Sequence, residues 1–75
     1  MEATLNNLKS GDKAVIERFT DADVSLKLME MGCLPGETLV VERFAPMGDP
    51  MSIYIAGYSL CLRKAEAADV VVTKL

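Results

Sequence analysis

The side chains best suited to nucleophilic chemistry in this sequence are two cysteines, Cys33 and Cys61. No histidine accompanies them, so the usual general base for activating a serine or cysteine nucleophile is missing. Cys33 follows the predicted end of a helix, where the negative end of the dipole disfavours a thiolate. We therefore predict that the chain is not an enzyme and that both cysteines are buried or half-buried structural thiols, kept reduced.

A site for a divalent transition metal would have to rest on carboxylates, because imidazole ligands are absent. The candidates are Asp21, Asp23, Glu30 and Asp49, and they form no cluster with ligand-like spacing. Asp21 and Asp23 are better explained by the start of a helix, where acidic side chains complement the dipole. We predict no specific metal site and no cofactor, and we interpret the methionines as packing residues.

Composition limits the class of protein and its partners. The chain has 75 residues, 51% of them hydrophobic and 25% charged, which predicts one globular domain spanning residues 1–75. Its net charge is −3 and its eight basic residues are scattered, so nucleic-acid binding is not expected. The longest apolar-rich stretch, residues 53–62, is far shorter than the roughly 20 residues of a membrane helix. With no secretory signal at residues 1–6, we expect a cytoplasmic protein that does not insert into the membrane.

The elements that position these residues are mostly strands. Alternating apolar residues predict a strand at residues 12–19. The spacing of Thr20 and Asp23 is typical of a capping box and predicts a helix over about residues 21–31, which Gly32 would end in a left-handed conformation.

Four further strands are predicted after this helix. They cover residues 38–44, 51–55, 58–62 and 70–73, and a short helical turn over about residues 63–68 precedes the last of them. Ala56-Gly57 is a two-residue hairpin connection. Five short strands with one inserted helix and a helical turn before the final strand predict an all-β fold, a small SH3-like barrel.

Two features of this plan are candidate surfaces for binding a partner. Val24, Leu28 and Met31 recur at helical spacing and form the buried face of the helix, which leaves Leu26 and Met29 on the opposite side. These two apolar residues either cover another part of the barrel or form an exposed patch, and the sequence favours neither.

The second candidate is the loop formed by Pro46, Met47, Gly48, Asp49 and Pro50. Two prolines and a glycine predict a stiff turn between strands, which can serve structure or recognition. Met47 would be an apolar tip on a rigid support. The loop lacks the lysine and the serine or threonine that end a phosphate-binding loop.

One further pattern runs along the whole chain. Its residues are Leu5, Leu8, Gly11, Leu28, Met31-Gly32, Pro35-Gly36, the loop Ala45-Pro46-Met47-Gly48-Asp49-Pro50, and Leu60-x-Leu62-Arg63-Lys64-x-Glu66-Ala67. In order and spacing this pattern resembles the FeoA family of ferrous iron transport protein A, from Leu5 to about Val72. The resemblance implies an SH3-like barrel in the bacterial cytoplasm. It also implies a role beside FeoB, a large membrane protein with a cytoplasmic GTPase region.

The resulting hypothesis is a binding module that docks on the FeoB transporter and modulates uptake, with weak self-association left open. Leu26, Met29 and residues 46–50 are its candidate contacts. The alternatives are an iron-responsive regulatory module, such as the SH3-like domain of some metal-dependent repressors, and a metallochaperone.

Overall fold

The structure is a computed structural model that describes residues 1–75. It has six strands, two short α-helices and one turn of 3₁₀ helix. In chain order these are β1 (Glu2–Thr4), the 3₁₀ helix (Leu5–Asn7), β2 (Lys13–Phe19), α1 (Ala22–Glu30), β3 (Thr38–Phe44), β4 (Met51–Ile55), β5 (Tyr58–Leu62), α2 (Lys64–Ala67) and β6 (Val70–Lys74). The strands form one antiparallel sheet in the order β1-β6-β2-β3-β4-β5.

The predicted all-β architecture is confirmed, with the helix inserted between β2 and β3 and the helical turn before the last strand. The predicted count of five strands was one short. The missing strand is β1, which has only three residues and pairs Glu2 with Thr73 of β6. Such a segment is too short to show an alternating pattern, and only its partner strand identifies it.

The core is built from the inward rows of the strands, covered at the ends by the helices. In β4 the inward row is Met51, Ile53 and Ile55, while Ser52 and Tyr54 point outward. Leu5, Leu8 and Leu28 add side chains from outside the sheet. Every fully buried residue is apolar, and the one buried side-chain polar atom without a hydrogen-bond partner is the amide oxygen of Asn6 in the 3₁₀ helix.

Helix α1 begins at a different cap from the predicted one. The Asp21 carboxylate accepts hydrogen bonds from the backbone N–H groups of Asp23 at 2.9 Å and Val24 at 3.0 Å. The hydroxyl of Thr20 instead donates to the Asp69 carboxylate at 2.9 Å. An aspartate satisfies these free N–H groups and complements the helix dipole at the same time, which explains why Asp21 is the N-cap.

The end of α1 confirms the prediction for Gly32, whose φ is +93°. The N–H of Gly32 donates to the carbonyl of Met29 at 3.1 Å, and the N–H of Cys33 donates to Leu28 at 2.9 Å. This pair of bonds is a Schellman motif and requires a left-handed residue at this position. The chain then turns back toward β3.

The β4–β5 hairpin is also confirmed. Ala56 and Gly57 have φ values of 54° and 87°, which are typical of a two-residue connection of type I′. This turn sets the register that places Ser52 opposite Cys61 and Tyr54 opposite Ser59.

Neither helix is both long and apolar enough to cross a bilayer.

Candidate partner-binding surface

The structure decides the open question about the outer side of α1. Leu26 is 64% exposed and Met29 is 38% exposed, whereas Leu28 between them is buried. The two residues therefore do not cover another part of the barrel. They form an apolar strip that faces solvent, and a single partner could contact both side chains.

Two more exposed apolar residues lie near the end of α1, and one of them, Tyr58, approaches closely because Gly32 has no side chain. A Cβ atom built on Gly32 would lie 2.9 Å from the Tyr58 hydroxyl and 3.7 Å from the Ala56 methyl carbon. Tyr58 and Leu34 are themselves 43% and 46% exposed. We call Leu26, Met29, Leu34 and Tyr58 the helix-end patch.

Sequence reasoning missed Leu34 and Tyr58 as surface residues. Tyr58 has the same strand parity as Leu60 and Leu62, which predicts a side chain that points inward. It is the first residue of β5, however, and lies at the end of the barrel, where its ring reaches α1. Parity alone does not reveal where the barrel ends.

The loop between β3 and β4 is held as a tight turn with an apolar tip. The N–H of Gly48 donates to the carbonyl of Ala45 at 2.7 Å, and the N–H of Ala45 donates to the carbonyl of Pro50 at 2.9 Å. The Asp49–Pro50 peptide bond is cis. Met47 is 93% exposed at the tip, so this geometry is compatible with both the structural and the recognition interpretations of the loop.

Helix α2 joins the two predicted surfaces. The Asp49 carboxylate of the loop accepts a hydrogen bond from the backbone N–H of Lys64 at 3.0 Å. On its other side, α2 presents the carboxylate of Glu66, which accepts from the Lys27 ammonium of α1 and from the N–H of Arg63 at 3.0 Å. Through α2, the structure ties the loop and α1 to one support.

The same contacts explain the acidity of Glu66. Its hydrogen bond from Lys27 is the largest influence and the bond from the Arg63 N–H is the next, and both lower the pKa of this carboxyl below 4.5. Both contacts favour the ionised form. The carboxylate is therefore charged at neutral pH and available to both partners.

A second feature, not predicted from the sequence, lies on the outer face of β3, β4 and β5. The register between β3 and β4 passes from Val41–Ile53 to Arg43–Ser52, so Glu42 is an extra residue at a β-bulge. Ser52 lies opposite Cys61 of β5. Arg43, Ser52 and Cys61 therefore form a row across three strands.

Two adjoining cavities open along this row, with volumes of about 360 and 400 Å³. We call them together the outer groove. Its lining residues are Glu42, Arg43, Phe44, Ala45, Pro46, Pro50, Ser52, Ser59 and Cys61. Both prolines of the loop thus contribute one wall of the groove.

The two cysteines have different surroundings. Cys33 is buried, as predicted, and its burial raises the pKa of the thiol. The prediction for Cys61 was wrong, because this thiol is exposed. Leu60 and Leu62 turn toward the core, so the residue between them must point outward.

The four candidate metal-binding carboxylates are not brought together. Asp21 caps α1 and Asp49 binds the backbone of α2. No group of three cysteine, aspartate or glutamate side chains lies close enough to hold one ion. The positions of Asp21 and Asp49 are explained by the hydrogen bonds that they accept from backbone N–H groups, and Asp23 lies in the first turn of α1.

Comparison with known proteins adds a family to this description. A family model described as "FeoA domain" matches residues 3–74. A Porphyromonas gingivalis protein described as a fusion of Fe(2+) transport protein A with the Fe(2+) transporter FeoB is 39% identical over 67 residues. The match covers 88% of this chain and only 8% of that relative.

Solved structures give the same result. An FeoA-like protein from Clostridium acetobutylicum is 37% identical, with a TM-score of 0.93, and the match covers 99% of this chain and 87% of that one. A second structure is FeoA of Stenotrophomonas maltophilia, which was solved with zinc and is described as a prokaryotic SH3 domain protein. It is 27% identical, with a TM-score of 0.82, and the match covers 97% of this chain and 95% of that one.

The fold also occurs in another class of protein. A manganese-dependent transcriptional repressor has a TM-score of 0.90 at 20% identity, and the match covers 99% of this chain and 41% of the repressor. At that identity, the likeness concerns the fold alone. The SH3-like barrel is thus shared by transport proteins and repressors.

Proposed function

The chain belongs to the FeoA family of ferrous iron transport, and from that membership we propose that it binds the FeoB transporter at its cytoplasmic side and modulates transport without catalysing a reaction. The single observation that supports this proposal most is the Porphyromonas gingivalis fusion, in which a 39% identical segment shares one polypeptide with FeoB.

A fusion keeps its two parts at an effective concentration that can reach the millimolar range. Docking also needs a surface that contacts FeoB with an affinity of its own. We propose that the helix-end patch and Met47 provide that surface. Methionine and aromatic side chains are enriched in protein interfaces, and these residues are exposed on a rigid barrel.

Helix α2 supports this role because it fixes the relative position of the two parts. Glu66 binds Lys27 beside Leu26, and the Lys64 N–H binds Asp49 beside Pro50. A preorganised surface loses less conformational entropy when it binds, which improves affinity without adding contacts.

The regulatory and metallochaperone alternatives have no comparable support in this chain. The similarity to the manganese-dependent repressor is at 20% sequence identity and shows a shared fold only. The zinc in the structure of a 27% identical relative is a property of that protein. We therefore retain docking on FeoB as the proposed function.

The test is a titration of the purified chain with the cytoplasmic region of its cognate FeoB, under reducing conditions and with guanine nucleotide present. We expect saturable binding. Its affinity should fall about ten-fold or more when Leu26 and Met29 are both changed to Ala, because truncating residues at the centre of an interface commonly has an effect of this size. Leu75→Ala is the matched control, because Leu75 is exposed but lies outside the proposed surface. Absence of binding by the unaltered chain would refute the proposal.

A further inference from the structure

The outer groove holds an acidic and a basic side chain that do not pair with each other. Glu42 accepts hydrogen bonds from the hydroxyls of Ser52 at 2.7 Å and Ser59 at 3.0 Å. Both of its carboxylate oxygens are therefore occupied by β4 and β5. The β-bulge makes this possible, since it lets Glu42 reach across the strands while Arg43 stays in register with Ser52.

Arg43 is left without an ionic partner. The three ion pairs of the molecule are formed by Arg18 with Glu2, Lys27 with Glu66, and Lys74 with Asp12. In a chain of net charge −3, an arginine without a partner beside an otherwise largely apolar cavity is an available site for a carboxylate. Its planar guanidinium can bind both oxygens of such a group at once.

The rest of the cavity wall is apolar and stiff. Phe44, Pro46 and Pro50 line the end of the groove next to the β3–β4 loop. Aromatic side chains line several kinds of groove that hold extended peptides. The volume of about 360 Å³ is sufficient for a few side chains and not for a folded element.

We propose that the outer groove binds an extended segment of a protein partner, with an acidic side chain on Arg43 and an apolar neighbour against Phe44, Pro46 and Pro50. The identification of the partner as FeoB rests on the proposed function. The recognition of a carboxylate by Arg43 does not depend on it.

The chemistry is tested with a defined probe, a blocked tripeptide of leucine, glutamate and leucine, followed by two-dimensional NMR of the ¹⁵N-labelled chain. We expect saturable shifts at Arg43, Ser52 and Cys61. The glutamine analogue of the peptide should bind about two- to five-fold more weakly, the range of one partly exposed ion pair. Arg43→Gln should abolish this preference.

Arg63→Gln is the matched control, because Arg63 also belongs to no ion pair and lies outside the groove. Its preference for the glutamate peptide should be unchanged. Equal binding of the two peptides, or shifts confined to other parts of the chain, would overturn the proposal.

The same variants separate this inference from the proposed function. If the cytoplasmic region of FeoB binds the unaltered chain, Arg43→Gln should weaken that binding and reduce its dependence on salt. If Arg43→Gln binds FeoB as well as the unaltered chain does, the proposed function is unaffected, but the groove takes no part in FeoB binding. If FeoB does not bind at all, the peptide titration still decides whether the groove recognises a carboxylate.

Discussion

Gly32 combines a left-handed backbone conformation with a close neighbour, so its replacement by alanine has a cost with two separable parts. Its φ is +93°, and a Cβ atom would lie 2.9 Å from the hydroxyl oxygen of Tyr58. Gly36 is a matched control, because its φ is +92° and a Cβ there would meet nothing within 4 Å. The two substitutions share the backbone strain, and only Gly32→Ala adds the contact.

The magnitudes follow from these two parts. A left-handed conformation costs an alanine roughly 1–2 kcal/mol, partly offset by about 0.4–1 kcal/mol of lost entropy in the unfolded chain. We therefore expect Gly36→Ala to lower the free energy of unfolding by about 1 kcal/mol. Displacing Tyr58 would uncover on the order of 30 Å² of apolar surface, worth about 0.8 kcal/mol at about 25 cal/mol per Å². Gly32→Ala should then cost about 2 kcal/mol.

The assay is equilibrium unfolding in urea, repeated in a Tyr58→Phe background. Without the hydroxyl, the nearest atoms to the new methyl group are at 3.7 and 3.8 Å, which is ordinary contact. The difference between Gly32→Ala and Gly36→Ala should therefore disappear in that background. Equal costs in the unaltered chain, or a difference that survives Tyr58→Phe, would refute the assignment of this contact.

Three further predictions concern caps, charges and thiols. Asp21→Ala should lower the free energy of unfolding, measured in urea, by about 1 kcal/mol, because two N–H groups lose their acceptor. A clearly smaller loss would contradict the role of Asp21 as the N-cap. The lowered pKa of Glu66 stabilises the folded state above pH 4.5; this contribution is lost as the pH falls below 4.5. The difference in unfolding free energy between the unaltered chain and Glu66→Gln should therefore shrink in acid, and a constant difference would contradict the Lys27 contact. Cys61 should react with a thiol reagent in the folded chain well before Cys33, and mass spectrometry of the singly labelled product would identify the site.

Much of the fold could be predicted because local rules decide it. The Ala56-Gly57 turn and the left-handed Gly32 each depend on a few neighbouring residues, and both predictions are confirmed. The helical turn was predicted from a lack of β-forming residues and is present as α2. Strand β1 was missed because its three residues gain strand geometry only by pairing with β6.

The candidate surfaces could be predicted only in part, for the same reason. Leu26 and Met29 were found from helical spacing, which places residues on a face without telling what covers it. The exposure of Cys61 followed from strand parity and could have been read from the sequence. The outward row across β3, β4 and β5 is formed by Arg43, Ser52 and Cys61. It depends on a β-bulge and on pairing among three strands, so no local sequence pattern predicts it.

The position of β6 has a consequence for the order in which the chain can fold. Residues 70–74 pair with residues 2–4 on one side and with residues 14–19 on the other. Strand β1 and the edge of β2 that faces β6 therefore depend on the last segment of the chain, while the β3–β4–β5 meander can pair without it. Such distant pairings close large loops before they gain contacts, which slows folding. When the full chain refolds, the meander should thus acquire protection from hydrogen exchange first, and β1 should acquire it only once β6 has paired.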